Sequence, residues 1–261
     1  MTQRAQSVLL TGTSSGLGRA LLELYAAAGA KVICVNRRPL PELEARYPNV
    51  RFECIDVRSR DSVMRLVREL AAASELPEIF ILNAGINRVD NDESFRLDAY
   101  SEVLDTNLYG VLNFVQPLTE LGRSEVPRHV IAVSSMASYV GNPYGLGYHT
   151  SKRALSACFE VWSKMYAGTD LVFQRVMLGP IRTSMYTMGH AFPGWMVRIR
   201  NAFSAPVDQS ARAIARFAQT RRKTLFHAWH AVPLYLAMWL FQALAPSVFQ
   251  GRKTAVGSAR R

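Results

Sequence analysis

The chain has 261 residues, of which 49% are hydrophobic and 20% are charged, and its formal net charge is +11. These values fit one globular domain near the upper size of a single core, and they exclude a disordered or collagen-like chain. No internal repeat, low-complexity tract or linker divides the sequence, so we expect a single domain.

The first apolar run is too short for a signal peptide, so a cytoplasmic protein is expected. The three cysteines, Cys34, Cys54 and Cys158, lie within apolar segments. An odd number of such cysteines predicts reduced core residues rather than disulfides, and neither they nor the histidines show the spacing of a metal site.

The first predicted element is a short buried strand, Ser7–Thr11, that leads directly into a glycine-rich turn. The turn has glycines at positions 12, 16 and 18, and apolar residues then recur at helical spacing up to Gly29. Strand, glycine turn and helix are the context that a dinucleotide-binding loop requires. Glycines let the backbone approach a pyrophosphate, and the helix N-terminus supplies N–H donors.

The rest of the chain alternates predicted strands and helices. Strands are predicted at residues 31–35, 51–55, 79–82, 129–133 and 171–177, with a candidate seventh strand at 223–227. Helices are predicted at residues 61–73, at about 105–121, and from Tyr148 to about residue 166. Such alternation implies parallel strands with right-handed crossovers, so the predicted fold class is α/β, a doubly wound parallel sheet.

Polar residues or glycines follow six of the predicted strands at the point where each strand ends. They are Gly12, Asn36, Asp56, Asn83, Ser135 and Gly179. Because ligands of open α/β sheets bind outside the carboxyl ends of the strands, we expect these residues to share one site.

Tyr148 and Lys152 lie four positions apart on a predicted helix, with Ser135 thirteen residues before Tyr148. Residues at this spacing share one helix face, so a phenol and an ammonium can point to the same place. A free phenol has a pKa of about 10 and is a poor acid–base catalyst at neutral pH, but an adjacent cation lowers that pKa. The pair alone is common on helix surfaces, and its meaning depends on the surrounding residues.

Six motifs occur in the order and spacing of the short-chain dehydrogenase/reductase family, which this chain resembles over roughly residues 5–220. They are Thr11-Gly12-x-x-x-Gly16-x-Gly18, Asn83-Ala84-Gly85, Asn107, Ser135, Tyr148-x-x-x-Lys152 and Gly179-Pro180-x-x-Thr183. The resemblance implies a Rossmann fold and an oxidoreductase that interconverts a carbonyl and a secondary alcohol by hydride transfer.

The resemblance also implies a role for each catalytic residue. Tyr148 would be the general acid in reduction and the base in oxidation, and Lys152 would lower its pKa and hold the nicotinamide ribose. Ser135 would hydrogen-bond the substrate oxygen, in the manner of an oxyanion hole. Asn107 would hold a water that links Lys152 to solvent. Ser134 competes for the serine role, but the spacing to Tyr148 favours Ser135.

The residues expected to bind the cofactor are distributed over the strand ends. Besides Tyr148 and Lys152, they are Gly12, Ser14, Ser15, Gly16, Leu17, Gly18, Asn36, Arg37, Arg38, Asp56, Val57, Asn83, Ala84, Gly85, Pro180, Ile181 and Thr183. By the resemblance, Asp56 would contact the adenine ring and Thr183 would anchor the nicotinamide carboxamide.

The residues after the second strand indicate NADP rather than NAD. An acidic residue there would bind the ribose 2′-hydroxyl and repel a 2′-phosphate. This chain has Asn36, Arg37 and Arg38 instead, and guanidinium groups suit a phosphate in charge and geometry. The alternative is that both arginines are ordinary surface charges at a strand exit.

The segment expected to cover the substrate is rich in methionine and aromatic residues, which favours a partly apolar substrate or reflects packing alone. The residues concerned are Met136, Tyr139, Tyr144, Met185, Tyr186, Met188, Phe192, Trp195 and Met196. A reductase of a lipid-linked or nucleotide-linked sugar and a non-catalytic dinucleotide-binding regulator remain as alternatives. By the resemblance, a homodimer or homotetramer is expected, formed by the 105–121 and Tyr148 helices.

The C-terminal part, residues 223–261, departs from the family pattern, whereas residues 1–222 form the expected catalytic domain. Residues 231–245 are almost entirely apolar, and nine of the net positive charges lie after Asp208, where no acidic residue follows. An extra C-terminal helix is predicted, shorter than the roughly 18–20 residues that cross a bilayer. It would contact an anionic membrane at the inner face, pack on its own domain or a partner subunit, or span the membrane. No nucleic-acid motif accompanies the charge, so nucleic-acid binding is not expected.

Overall fold

The computed structural model describes residues 6–90, 94–139, 145–182, 198 and 201–228. Seven parallel strands form one sheet in the order β3-β2-β1-β4-β5-β6-β7. The strands are β1 (Ser7–Thr11), β2 (Lys31–Asn36), β3 (Arg51–Cys54), β4 (Ile79–Leu82), β5 (Arg128–Ser135), β6 (Leu171–Leu178) and β7 (Thr224–His227). The predicted doubly wound parallel sheet is confirmed.

Helices cover both faces of the sheet. They are α1 (Gly16–Ala27), α2 (Pro41–Arg46), α3 (Arg60–Ala72), α4 (Leu97–Leu104), α5 (Gly110–Glu120), α6 (Leu146–Met165) and α7 (Val207–Phe217). A π-turn, Asp105–Tyr109, joins α4 to α5, and a 3₁₀ turn, Met136–Tyr139, follows β5. The described chain is therefore a three-layer α/β/α unit.

The central strands β1 and β4 are largely apolar because each face packs against a different helical layer. In β1, Val8 and Leu10 belong to the cluster that includes α1 and α7, whereas Leu9 faces the cluster of α3, α5 and α6. All three are fully buried. Burial on both faces explains why the sequence shows short continuous apolar runs there instead of alternation.

The strand order places a crevice next to the first strand. β1 pairs with β2 on one side and with β4 on the other. The connection that leaves β1 therefore runs toward one edge of the sheet, and the connection that leaves β4 runs toward the other. Ligands of such sheets bind at this reversal, outside the carboxyl ends of the strands. The loops that follow β1, β2, β4, β5 and β6 converge there.

Two sequence-based expectations differ from the structure. The helix predicted to begin near residue 105 begins at Leu97, because α4, the π-turn and α5 run on without a break. The buried residues of α4, Ala99 and Val103, do recur at helical spacing, but the helix is only eight residues long. Cys54 is not a core residue: it is exposed, since β3 is the edge strand of the sheet.

The predicted seventh strand is present as β7, parallel to β6. Of the expected substrate-covering residues, Met136 and Tyr139 lie in the 3₁₀ turn, and the other seven lie outside the described residues. The predicted C-terminal helix at 231–245 also lies outside them. Within the described part of the chain, no helix is both long and apolar enough to cross a membrane.

Candidate active site

A cleft of about 670 Å³ opens at the carboxyl ends of β1, β2, β4, β5 and β6. The predicted site residues that line it are Gly12, Ser14, Ser15, Gly16, Leu17, Gly18, Asn36, Arg37, Arg38, Asp56, Val57, Asn83, Ala84, Gly85, Ser135, Tyr148, Lys152 and Ile181. Asn107 and Pro180 are buried beside the cleft, and Thr183 lies outside the described residues. The structure thus brings nearly all of the predicted site residues to one place.

The glycine turn has a shape that only glycine allows at two positions. Gly12 has φ +72°, and a Cβ there would lie 2.9 Å from the Cα of Ala84. A Cβ on Gly18 would lie 2.0 Å from the carbonyl oxygen of Gly12. The start of α1 therefore sits directly on the turn, with its first N–H groups free of intrahelical acceptors. This cradle fits the pyrophosphate of a dinucleotide.

Two asparagines brace the turn from the neighbouring strands. Asn36 accepts a hydrogen bond from the backbone N–H of Thr13 and donates to its hydroxyl, each at 2.8 Å. Asn83 donates to the carbonyl oxygens of Thr11 and Gly12 at 3.1 and 3.2 Å. Both amides thus position the turn, and the side chain of Asn36 is directed at Thr13.

The rim of the cleft beyond β2 is positively charged. Arg37 and Arg38 line it with exposed side chains, and no carboxylate in the described part forms an ion pair with either. Asp56, which also lines the cleft, accepts from the guanidinium of Arg58 at 2.6 Å. This hydrogen bond holds the pKa of Asp56 below its usual value. Asp56 is therefore paired with Arg58, and Arg37 affects it only as a nearby charge, so Arg37 and Arg38 remain available to an anion.

Tyr148 and Lys152 lie side by side on the first turns of α6, and both are buried. The Lys152 Nζ is 5.8 Å from the centre of the Tyr148 ring and donates to the carbonyl oxygen of Val133 at 2.8 Å. Burial lowers the pKa of Lys152 from 10.5 to about 8. No carboxylate within the described residues pairs with this ammonium. Its positive charge therefore acts on the Tyr148 phenol and on any ligand in the cleft.

Asn107 is fully buried in the π-turn, next to Lys152. Its amide pairs with Ile86, accepting from the N–H at 2.7 Å and donating to the carbonyl at 2.9 Å. It also donates to the hydroxyl of Ser151, which donates to the carbonyl oxygen of Tyr148. Asn107 therefore joins the strand β4 exit to the helix that carries Tyr148.

Gly85 separates Asn107 from Lys152. A Cβ at this position would lie 3.2 Å from Asn107 Oδ1 and 3.6 Å from Lys152 Nζ. A side chain there would crowd both groups, so the absence of a Cβ keeps the space between them open.

The structure separates the roles of the two neighbouring serines. The Ser134 hydroxyl forms its hydrogen bonds with helix α6: it donates to the carbonyl of Lys152 and lies 2.7 Å from Ser156 Oγ. The Ser135 hydroxyl donates to the carbonyl oxygen of Leu178, at the end of β6, at 3.4 Å. Because the Ser134 hydroxyl is bonded to α6, Ser135 remains the candidate for the ligand contact.

Sequence reasoning missed Asp90, whose carboxylate accepts hydrogen bonds from the first backbone N–H groups of α6, just before Tyr148. No motif includes this residue. The one signal in the sequence is indirect: Gly145, the residue before α6, has no side chain to cap the helix.

Comparisons with known proteins agree with this geometry. A family model described as short chain dehydrogenase matches residues 6–190. The chain is 28% identical over 183 residues to 3-oxoacyl-(acyl-carrier-protein) reductase FabG of Thermotoga maritima, which covers 68% of this chain and 74% of that protein. It is 26% identical over 261 residues to dehydrogenase/reductase SDR family member 7B of Xenopus laevis, covering 94% of this chain and 80% of that protein.

Solved structures share the fold. A short-chain dehydrogenase from Streptomyces avermitilis superposes with a TM-score of 0.77 at 21% identity, covering 99% of this chain and all of that one. A closed form of serine dehydrogenase complexed with NADP⁺ has a TM-score of 0.69 at 20% identity, covering 85% and 94%. The matched family model, together with the glycine turn and the Tyr148–Lys152 pair, shows that the chain belongs to the short-chain dehydrogenase/reductase family.

Proposed function

We propose that this oxidoreductase uses NADP(H) to interconvert a carbonyl and a secondary alcohol, with Tyr148 as the general acid or base. The observation that carries the proposal is that Tyr148 and Lys152 are buried together in the cleft that also contains the glycine turn. A proton donor and a dinucleotide cradle in one cleft are what hydride transfer to a carbonyl requires.

The bound nicotinamide would supply the hydride, and the chain would supply the proton and the charge stabilisation. As the carbonyl oxygen gains negative charge, the Tyr148 hydroxyl donates its proton, and the Lys152 ammonium stabilises the phenolate that remains. Ser135 donates a hydrogen bond to the same oxygen. Because burial brings the pKa of Lys152 to about 8, this group is also suited to pass a proton on near neutral pH.

The choice of NADP over NAD is supported by Arg37 and Arg38. Their guanidinium groups line the cleft at the end of β2, without a carboxylate partner in the described part. An added 2′-phosphate would meet them there, and charge-assisted hydrogen bonds to a phosphate are among the stronger ones in proteins. The serine dehydrogenase of similar fold was solved with NADP⁺.

A partly apolar carbonyl compound is the substrate class that we propose. Tyr139 and Leu146, which are close in sequence to Ser135 and Tyr148, are 50% and 43% exposed. Exposed apolar side chains beside a catalytic centre favour contact with an apolar ligand. The related Thermotoga maritima protein is named for a 3-oxoacyl substrate, which is a carbonyl on an aliphatic chain.

The test is a substrate panel followed by NADPH absorbance, with NADH in parallel. The panel contains 3-oxoacyl thioesters, aliphatic and aromatic ketones, and nucleotide-linked keto sugars. We expect turnover of at least one apolar carbonyl with NADPH, and none by Tyr148→Phe. Tight NADPH binding without turnover of any compound would instead favour the non-catalytic regulator. Turnover restricted to the keto sugars would contradict the apolar substrate class and favour a reductase of a nucleotide-linked sugar.

We also propose a homodimer or homotetramer in which α5 and α6 form the contact. The exposed apolar residues Tyr109, Val161 and Met165 lie on or next to these helices, with Met165 68% exposed. Sedimentation analysis of the wild type and of Met165→Glu tests this contact.

For the basic C-terminal segment we propose attachment to an anionic membrane surface. Flotation with anionic vesicles tests it, and a protein that stays at the bottom of the gradient would contradict it.

A further inference from the structure

Asp90 is a charged residue that is 0% exposed and lies outside every motif of the sequence. Within the described residues, no lysine, arginine or histidine forms an ion pair with it. A buried carboxylate without a cation needs other donors, because an uncompensated charge in a protein interior is costly. The groups that donate hydrogen bonds to Asp90 therefore indicate its structural role.

Both carboxylate oxygens accept from the first two backbone N–H groups of α6. Oδ1 accepts from Leu146 at 2.8 Å, and Oδ2 accepts from Gly147. These N–H groups have no acceptors within the helix, and Gly145 offers no side chain to satisfy them. A negative charge at a helix N-terminus is also favoured by the helix dipole. Asp90 thus caps α6 from a position 56 residues earlier in the chain.

The fit around this cap leaves no room for a side chain. A Cβ on Gly147 would lie 2.8 Å from Asp90 Oδ2 and 3.1 Å from the carbonyl oxygen of Tyr100. Gly147 is the residue directly before Tyr148, so the close contact fixes the backbone from which the phenol projects. The missing Cβ at Gly147 and the carboxylate at Asp90 are parts of the same arrangement.

Asp90 is itself held in place by the segment that lines the cleft. It follows the cleft-lining residues Ile86, Asn87 and Arg88, and its carbonyl oxygen accepts from the N–H of Arg96 at 2.8 Å, at the start of α4. One residue therefore joins the exit of β4, the start of α4 and the start of α6. Asn107 joins β4 and α6 at a second point, one turn further along α6.

We propose that Asp90 is a positioning residue that holds the first turn of α6, and with it the Tyr148 hydroxyl, in the geometry needed for proton transfer. The inference rests on the proposed role of Tyr148. Asp90 does not line the cleft, so its removal should lower the rate of the chemical step and leave cofactor binding in place.

The experiment compares Asp90→Ala and Asp90→Asn with the control Asp170→Ala in the full chain. Asp170 also accepts a backbone N–H, that of Ser124 at 3.0 Å, and it pairs with Arg128, but it lies before β6, at the amino ends of the strands and away from the cleft. For each variant, kcat and KM are measured with NADPH and an active carbonyl substrate, and amide hydrogen exchange is followed at Leu146 and Gly147.

For Asp90→Ala we expect kcat to fall by about tenfold or more, because small displacements of a catalytic group cost at least that much. KM for NADPH should stay within about twofold of the wild-type value, and the Leu146 and Gly147 amides should exchange faster. Asp90→Asn, which keeps one acceptor oxygen, should give an intermediate kcat. Asp170→Ala should keep the wild-type kcat. If the alanine variant does not fold, the asparagine variant decides.

Three results would overturn the inference while the proposed function stands. The first is an unchanged kcat in a folded Asp90→Ala variant, and the second is unchanged exchange at Leu146 and Gly147. An equal fall in kcat in Asp170→Ala would also overturn it, because the effect would then be general loss of stability. A wild-type chain without carbonyl turnover fails differently: it removes the proposed function, while the exchange rates still report whether Asp90 holds α6.

Discussion

The ammonium of Lys152 lies one helical turn beyond Tyr148, 5.8 Å from the centre of the phenol ring, and both side chains are buried. Among the described residues, Lys152 Nζ donates to a neutral acceptor, the carbonyl of Val133. Its charge is therefore not cancelled by a described carboxylate. An ammonium in this position stabilises a phenolate more than a phenol, which is the property that an acid–base tyrosine requires.

Replacement of Tyr148 by phenylalanine tests the proton donor directly. The ring is retained, so packing and the fold should persist, whereas the proton donor is lost. We expect kcat to fall by about 10²- to 10⁴-fold, the usual contribution of a positioned acid or base. NADPH affinity, measured by fluorescence titration, should change little. Near-wild-type turnover in this variant would contradict the mechanism.

Stability should depend on pH through Lys152. Its pKa is about 8 in the folded chain against 10.5 for an ordinary lysine, so between these values the unfolded chain binds a proton that the folded chain does not. Stability from this group therefore rises as the pH increases through about 8 to 10.5. The full shift corresponds to about 3 kcal/mol.

The measurement is urea unfolding of the wild type and of Lys152→Met at several pH values, without cofactor. Methionine has a similar volume and no charge, so the variant lacks this titration. The difference in the free energy of unfolding should favour the wild type increasingly above pH 8. A difference that does not vary with pH would show that burial leaves the lysine pKa unchanged.

Cofactor selectivity should depend on the arginines at the end of β2. We expect the double variant of Arg37→Ala and Arg38→Ala to raise KM for NADPH by about 10- to 100-fold, since hydrogen bonds to charged groups contribute about 1.5–3 kcal/mol. KM for NADH should change little. Arg68→Ala is the control, because Arg68 is exposed and pairs with Glu120 outside the cleft. Equal effects on the two cofactors would rule out recognition of the 2′-phosphate.

The two adjacent serines should respond differently to alanine. Ser135→Ala should lower kcat by about 10²- to 10³-fold, as loss of an oxyanion donor does. Ser134→Ala removes hydrogen bonds to the carbonyl of Lys152 and to Ser156, so it should cost about 0.5–1.5 kcal/mol of stability while most of the turnover remains. Steady-state kinetics and thermal unfolding distinguish the two outcomes. The reverse pattern would assign the substrate contact to Ser134.

The glycine turn should not tolerate a methyl group at Gly18. The added Cβ would lie 2.0 Å from the carbonyl oxygen of Gly12 and 2.7 Å from Asn83 Nδ2, so α1 would have to move off the turn. We expect Gly18→Ala to lose about 1–3 kcal/mol of stability and to bind NADPH weakly. Gly122→Ala is the control, because a Cβ there meets nothing within 4 Å. Thermal unfolding and NADPH titration measure both effects.

Much of the fold was predictable because its signals are local. Strands buried on both faces are continuous apolar runs, and the turn after β1 needs glycine for steric reasons visible in its spacing. The same holds for Tyr148 and Lys152, whose shared helix face follows from their separation alone. The structure brings these local features to one cleft, as we expected from their positions at the carboxyl ends of the predicted strands.

The remainder depends on contacts between distant segments. The capping of α6 by Asp90 joins residues 56 positions apart, and no local pattern announces it. The burial of Asn107 depends on a π-turn, which differs from an α-helix by a single hydrogen-bond step and leaves no mark in the periodicity. The exposure of Cys54 follows from the edge position of β3, which only the strand order reveals.

The π-turn at Asp105–Tyr109 also determines how this long helix tolerates changes of length. Its first part, α4, packs against α6, and its second part, α5, packs against α3 and the sheet. Removing one residue from the turn would leave an ordinary helix, but it would rotate α5 by about 100° relative to α4. Phe114 and Leu118, now fully buried, would then leave the sheet, or α4 would leave α6. The turn thus sets the rotational phase between the half of the helix beside the catalytic tyrosine and the half that fills the core, and a single-residue deletion there should be far more damaging than one in a surface loop.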